Sequence, residues 1–89
     1  MQYTIKNTHL TLTVDTLGAQ MMHLQRNGTE YLWQGDAQYW DARAPHLFPF
    51  IGRFTGKRYR LGDTVYPMTI HGFAATSQFV VAEKREDGV

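Results

Sequence analysis

Two prolines four residues apart, Pro45 and Pro49, decide what the middle of this chain can become. Each fixes its own backbone φ angle and pushes the residue before it out of the helical region. They lie in the run Arg43-Ala44-Pro45-His46-Leu47-Phe48-Pro49-Phe50-Ile51-Gly52-Arg53-Phe54, the least polar stretch of the sequence and one without an acid. A helix is therefore not expected over residues 43–54, and an extended, buried segment is predicted. The run ends by delivering a cation, Arg53, between Gly52 and Phe54. A guanidinium leaving a buried strand end is costly unless an anionic or oxygen-rich partner meets it. An arginine that simply snorkels past the strand end to solvent leaves the same signature.

The flanking sequence reads as strands and tight turns. Residues 3–7 and 9–15 are predicted strands; in the second, Leu10, Leu12 and Val14 alternate with Thr11, Thr13 and Asp15, the period of a half-buried sheet. After a turn at Thr16-Leu17-Gly18, residues 19–26 put Met22 and Leu24 on one side and Met21, His23 and Gln25 on the other. Good helix formers occur in this stretch, but Asn27-Gly28 follows, and that pair favours the positive φ angles of a type I′ hairpin turn. Residues 29–33 then form the partner strand, and His23 is expected to face solvent rather than bind a ligand. Asp36 is placed to cap a short helical turn through Tyr39-Trp40. Residues 56–61 and 64–68 read as a hairpin about Gly62-Asp63, with Pro67 confining the second strand to a sheet edge or strand end. A glycine-bearing loop spans residues 70–75, and residues 79–84 are a last strand before a charged turn. With seven or eight short strands, the class is all-β. A closing turn with no strand after it predicts a sheet that is cut rather than completed.

Composition removes several function classes. Eighty-nine residues make one domain at most, or a piece of a larger one, and folding at this length buries only roughly 60–65% of the unfolded surface. An apolar fraction of 43% against 19% charged residues suits a globular chain rather than a disordered one. The net charge of +1, with no basic stripe, gives no reason to expect nucleic acid or an anionic membrane as partner. There is no cysteine, so neither a disulfide nor thiol chemistry enters. No signal-peptide core and no membrane-length apolar run is present, and a cytoplasmic location is the expectation.

His9, His23, His46 and His71 have none of the paired spacing of a zinc site, so no metal is expected. The glycines at 52, 56 and 62 do not open a helix, as a phosphate cradle requires. Ser77 is the only serine and has no nucleophile-elbow context. What remains is Arg53 together with His71, whose neighbour Gly72 lets the backbone approach a ligand closely. Two donors of different kind suit a neutral, polyhydroxylated ligand, and Trp33, Tyr39, Trp40 and Phe73 offer apolar faces for the C–H side of a sugar ring. Ordinary core packing for the aromatics, and a loop histidine bonded to a backbone carbonyl, account for the same residues without function.

The linked motifs Tyr31-Leu32-Trp33-Gln34-Gly35-Asp36, Tyr39-Trp40, Arg43-Ala44-Pro45, Leu47-Phe48-Pro49, Gly52-Arg53 and His71-Gly72-Phe73-Ala74 resemble the aldose 1-epimerase family, in its galactose mutarotase-like branch. The resemblance covers the whole chain but only the beginning of such a protein. It implies antiparallel sheets forming part of a large β-sandwich, or supersandwich, around a sugar cleft, with residues 1–89 as a single N-terminal domain portion. The implied reaction is interconversion of the α and β anomers of a hexose such as galactose or glucose. A base takes the anomeric hydroxyl proton, an acid protonates the ring oxygen, and the opened ring recloses on either face. No cofactor is implied. By this resemblance Arg53 and His71 bind the sugar and steady charge on its oxygens, with Phe73 beside them, and His71 is the residue of the pair assigned to transition-state stabilisation. The family's acid histidine and base glutamate have no counterpart within residues 1–89, so the chain alone is expected to turn over sugar little or not at all. Two other readings compete: a non-catalytic carbohydrate-binding module, and a sheet whose exposed edges pair with another copy into a homo-oligomer.

Overall fold

The alternating residues at the start of the chain fold as a meander. In the computed structural model, which describes residues 1–89, β1 (Gln2–Lys6), β2 (Thr11–Asp15), β3 (Gln20–Arg26) and β4 (Thr29–Glu30) form one antiparallel sheet in chain order. A separate antiparallel hairpin joins β5 (Arg58–Leu61) to β6 (Thr64–Pro67). The fold is all-β and antiparallel, its helical content limited to two three-residue 3-10 turns, Thr55–Lys57 and Ala74–Thr76. No helix is long and apolar enough to cross a membrane.

Register gives the sheet one apolar face. Tyr3 pairs with Val14 and Ile5 with Leu12, while Leu12 also pairs with Leu24; directly opposed residues share a face. On the other face Thr4 and Thr13 meet through their hydroxyls at 3.0 Å. The expected alternation in β3 is broken. The register shifts between Thr13 and Val14, so Thr13 faces His23 while Val14 faces Met21, and Met22 is the extra residue of a β-bulge. Met21 therefore joins Leu24 on the apolar face, contrary to simple alternation.

Other boundaries also move. Strand β2 starts at Thr11 because the Asn7 side chain accepts the N–H groups of His9 and Leu10, each at 2.8 Å, and makes a turn there. The partner strand of residues 29–33 stops after Glu30. The Glu30 carboxylate accepts the Leu24 N–H at 3.0 Å and the Leu32 N–H at 3.3 Å, taking the place of the ladder. The turn at Asn27-Gly28 has φ angles of 50° and 77°, both positive as a type I′ turn requires. Asp36 organises the expected turn, its carbonyl accepting from Tyr39 and Trp40 at 3.0 and 2.9 Å.

Two predicted segments differ more. Residues 43–54 are not helical, but they bend repeatedly and join their neighbours at a single bridge, Phe48 to Gly72. Prolines cannot donate to a ladder, and the run is only partly covered: Phe50 and Phe54 pack on Tyr59, while Phe48 and Ile51 are 58% and 76% exposed. Residues 79–84 form no strand, because no neighbouring strand lies beside them. There are thus six strands rather than seven or eight.

Only Gly18, Gly72 and Ala74 are buried. The radius of gyration is 16.2 Å, against about 12 Å for a compact domain of this length, and the extents of 53 × 34 × 19 Å describe a slab. The apolar face of the sheet and the segments around it make up one side of a core rather than a closed one.

Candidate functional site

The Gly52-Arg53 and His71-Gly72 motifs meet through their backbones. The His71 N–H donates to the Gly52 carbonyl at 3.0 Å, and the N–H groups of Phe73 and Ala74 both donate to the Phe48 carbonyl, at 3.0 and 3.1 Å. Residues 48–52 and 71–74 are thus laced side by side although about twenty positions apart. His71 has φ 65°, a left-handed conformation that costs a non-glycine residue on the order of 1–3 kcal/mol. It is followed by Gly72 at φ 80°. The His71 ring also bonds through Nδ1 to the Ile51 carbonyl. A carbonyl only accepts, so Nδ1 carries the proton, and in the neutral ring Nε2 is left with its lone pair free.

Arg53 is held from both sides. Before it, Gly52 takes the His71 N–H; after it, Phe54 enters an aromatic cluster. Phe54 lies 4.7 Å from Phe50 and 5.5 Å from Tyr59, which in turn stacks on Tyr66 at 5.3 Å. Such pairs contribute about 0.5–1.5 kcal/mol each beyond area burial. They fasten residues 50–54 to the β5–β6 hairpin. The Lys57 N–H to Phe54 carbonyl bond at 3.0 Å and the Met68 N–H to Lys57 carbonyl bond at 2.9 Å do the same through the backbone. Arg53 itself is exposed and forms no hydrogen bond or ion pair within the chain.

The start of the proline-bearing run is tied to the sheet through Gln20, which the sequence did not single out, and through Arg43 of the Arg43-Ala44-Pro45 motif. Gln20 Oε1 accepts the N–H groups of Arg43 and Ala44 at 2.8 and 3.0 Å, and Arg43 Nη1 donates to the Met22 carbonyl at 2.8 Å. That carbonyl belongs to the bulge, so the irregularity in β3 supplies the acceptor. Glu30, whose carboxyl is held below its ordinary range chiefly by the Leu24 N–H, also sits 3.4 Å from His23 Nδ1. His23, expected to face solvent, is instead half-exposed beside this carboxylate. Chain-distant side-chain to backbone bonds of this kind leave no local pattern to read in advance.

Phe73 packs edge-to-face on Phe48 at 6.2 Å and stands between two hollows. One, of about 540 Å³, includes His46, Phe48, Gln78 and Phe79; the other, of about 380 Å³, includes Lys57, Pro67 and Met68. Neither these nor the other two main hollows are lined by Arg53 or His71. The structure therefore brings the two motifs together along the backbone without placing their side chains in any of these four hollows. Trp33 and Tyr39 stack edge-on at 6.3 Å, and Trp33 Nε1 donates to the Trp40 carbonyl at 2.7 Å, forming a separate, largely exposed aromatic corner. No three His, Asp or Glu side chains gather as a metal would need.

The antiparallel β scaffold that laces the Gly52-Arg53 loop to the His71-Gly72 loop belongs to a backbone course seen in galactose mutarotase-like proteins, for the chain superposes on two such structures. It aligns with a galactose mutarotase-like protein of Lactobacillus casei at TM-score 0.92 and 38% identity, over 97% of this chain and 30% of that one. A galactose mutarotase related enzyme of Lactobacillus acidophilus gives 0.94 and 30%, over 97% and 29%. The chain belongs to the aldose 1-epimerase family, whose pattern matches residues 1–89. Two LacX proteins of Lactococcus lactis subsp. lactis, one chromosomal and one plasmid-borne, are 37% and 36% identical over the whole of this chain and 32% of their own length. The chain thus spans about a third of the length of these relatives.

Proposed function

We propose that residues 1–89 are one part of a larger mutarotase-like β-sandwich and supply the sugar-positioning half of an aldose 1-epimerase site. The substrate class is a hexose such as galactose or glucose, whose α and β anomers interconvert through the ring-opened aldehyde. Arg53 and His71 bind sugar oxygens and steady the charge that develops on them, and Phe73 offers an apolar face. The observation carrying this reading is the 3.0 Å bond from the His71 N–H to the Gly52 carbonyl, which sets the two family motifs side by side. The fixed Nδ1–H of His71 supports it further, because Nε2 is then free to meet a hydroxyl. The proton-transferring acid and base come from outside these residues. Well-placed groups of that kind are each worth about 10²–10⁴-fold in rate, so the 89-residue chain alone is expected to leave mutarotation at its buffer rate.

Polarimetry of freshly dissolved α-glucose or α-galactose tests the second half of this statement, and a rate well above buffer contradicts it. The first half is tested by NMR titration with galactose: shifts should concentrate at Arg53, His71 and Phe73, and their absence at saturating sugar rejects the assignment. A binding module without catalysis is the second reading. It is favoured by the aromatic corner, where Trp33, Tyr39 and Trp40 are 37%, 72% and 49% exposed. Sugar shifts centred there, abolished by Trp40→Ala and spared by Arg53→Ala, would select it.

A further inference from the structure

We propose that Asn27 is a site of covalent self-modification: its side-chain amide is lost through a ring formed with Gly28, and the isoaspartate product releases the Glu30 carboxylate from the Leu24 and Leu32 amides. Of the two asparagines in the chain, Asn7 and Asn27, only Asn27 precedes a glycine. Gly28 has no side chain to shield its backbone nitrogen, and a Cβ built there meets nothing within 4 Å. Both residues are exposed. The Gly28 N–H donates to no carbonyl, and the Asn27 side chain forms no hydrogen bond within the chain. Asn7 is the opposite case. Its Oδ1 is held by the His9 and Leu10 N–H groups at 2.8 Å each, and Thr8, which follows it, is β-branched and stiff.

The step consumes only water. Hydroxide takes the Gly28 N–H proton and the nitrogen attacks Asn27 Cγ. The new N–C bond closes a succinimide ring as the Cγ–Nδ2 bond breaks, and Nδ2 leaves as ammonia with a proton from water. Water then opens the ring at either carbonyl. Opening at Cγ gives aspartate; opening at the main-chain carbonyl gives isoaspartate, whose backbone runs through Cβ and Cγ. Attack requires the turn to open, and here opening is inexpensive. Strand β4 is two residues long, lies at the sheet edge and is held by the pairs Gln25–Glu30 and Arg26–Thr29. Elements with so few contacts open at low free energy.

The product does not fit the turn it came from. Isoaspartate adds a main-chain atom to a two-residue loop whose φ angles of 50° and 77° set the Arg26–Thr29 pairing. Glu30 follows Thr29 directly, so the carboxylate that accepts the Leu24 and Leu32 N–H groups is carried out of place. The Tyr31 N–H to Leu24 carbonyl bond of 2.8 Å goes with it. One chemical event at the turn thus reaches the chain leading into the Trp33 corner. It involves no sugar and neither Arg53 nor His71, so it stands apart from the site assignment above.

The test ages the 89-residue chain at mildly alkaline pH and follows it by peptide mass mapping, labelling with an isoaspartate methyltransferase, and hydrogen exchange. The Asn27 peptide should gain the mass of an NH2-to-OH replacement at least tenfold faster than the Asn7 peptide, and should accept the methyl label. Asp87-Gly88 can isomerise without a mass change and maps elsewhere. Exchange at Leu24 and Leu32, slow in the fresh chain, should quicken in the labelled fraction and stay unchanged in the β5–β6 hairpin. Asn27→Gly keeps a turn-compatible residue and should hold those amides slow through the same ageing. Fresh Asn27→Asp should also keep them slow, because aspartate suits the turn and only the inserted atom breaks it. Equal rates at the two asparagines overturn the inference, as does a mass gain without methyl label. Fast exchange at Leu24 and Leu32 in the fresh chain or in fresh Asn27→Asp also overturns it, and so does equal loosening of aged Asn27→Gly or slow exchange in the labelled fraction.

Discussion

A side chain at position 72 would be driven into the Phe48 carbonyl: a Cβ built on Gly72 lies 2.4 Å from that oxygen. The same oxygen accepts the Phe73 and Ala74 N–H groups, so the clash falls on the joint between the two site motifs. Gly72→Ala is expected to destabilise the fold by more than about 2 kcal/mol, adding a steric conflict to a left-handed backbone penalty of about 1–2 kcal/mol. Gly28→Ala is the comparison. Its φ of 77° is similar, but nothing lies within 4 Å of its Cβ, so only the backbone penalty should be lost. Urea midpoints of the two variants separate the terms, and equal losses would show that the close approach to Phe48 is unimportant.

Arg53 and His71 differ in what they do for the fold. Arg53 makes no bond within the chain, so Arg53→Ala should leave thermal stability within about 0.5 kcal/mol of the parent. On the proposed function it should weaken sugar binding by roughly ten- to a hundredfold, in line with about 1.5–3 kcal/mol for a hydrogen bond to a charged group. His71→Ala removes both the ring contact to Ile51 and the proposed sugar contact, so stability and affinity should fall together. Calorimetry with galactose alongside thermal unfolding resolves the two patterns.

Acid should loosen the end of β3 where Glu30 holds it. The Glu30 carboxyl lies below its ordinary value of 4.5, chiefly because it accepts the Leu24 N–H, with Leu32 and His23 adding to the effect. A depressed carboxyl contributes stability that is present above the unfolded value and is lost as pH falls through the folded one. The Leu24 and Leu32 amide signals should therefore titrate with a midpoint below 4.5. In Glu30→Gln that step should vanish while the acceptor oxygen is kept. A midpoint at or above the ordinary value would contradict the bonding described.

Truncation of Arg43 should loosen the proline-bearing run on the sheet without unfolding the meander, since the Gln20 bonds remain. Arg43→Met keeps much of the side-chain stem but removes the donor to the Met22 carbonyl, a loss of roughly 1–2 kcal/mol. Hydrogen exchange should accelerate at residues 43 and 44, whose N–H groups rest on Gln20, and stay unchanged in β1 and β2. Acceleration throughout the sheet would assign Arg43 a general structural role instead.

How much of this was legible beforehand depends on the range of the interactions. Turn chemistry is local, so Asn27-Gly28 and Gly62-Asp63 mark their hairpins directly. Period-two alternation likewise identifies β1, β2 and β5. The bulge at Met22 was invisible, because its only trace is a shift in partners across the sheet. The Glu30 carboxylate ended β4 early for a related reason, a side chain standing in for a backbone partner. Residues 79–84 have strand chemistry but no strand beside them, and strand formation is a property of pairs. The motifs around Arg53 and His71 were legible through family resemblance; their contact through Gly52 is a tertiary fact that neither motif encodes alone.

Strand β3 carries one residue more than its pairing with β2 consumes, and that surplus has a use. Shortening the chain at Met22 would preserve every cross-strand partner and yet delete the peg on which the Arg43 guanidinium hangs. The length of a strand in the first sheet thus governs how a loop 21 positions later is carried, and a one-residue gap there would be silent in any count of strands.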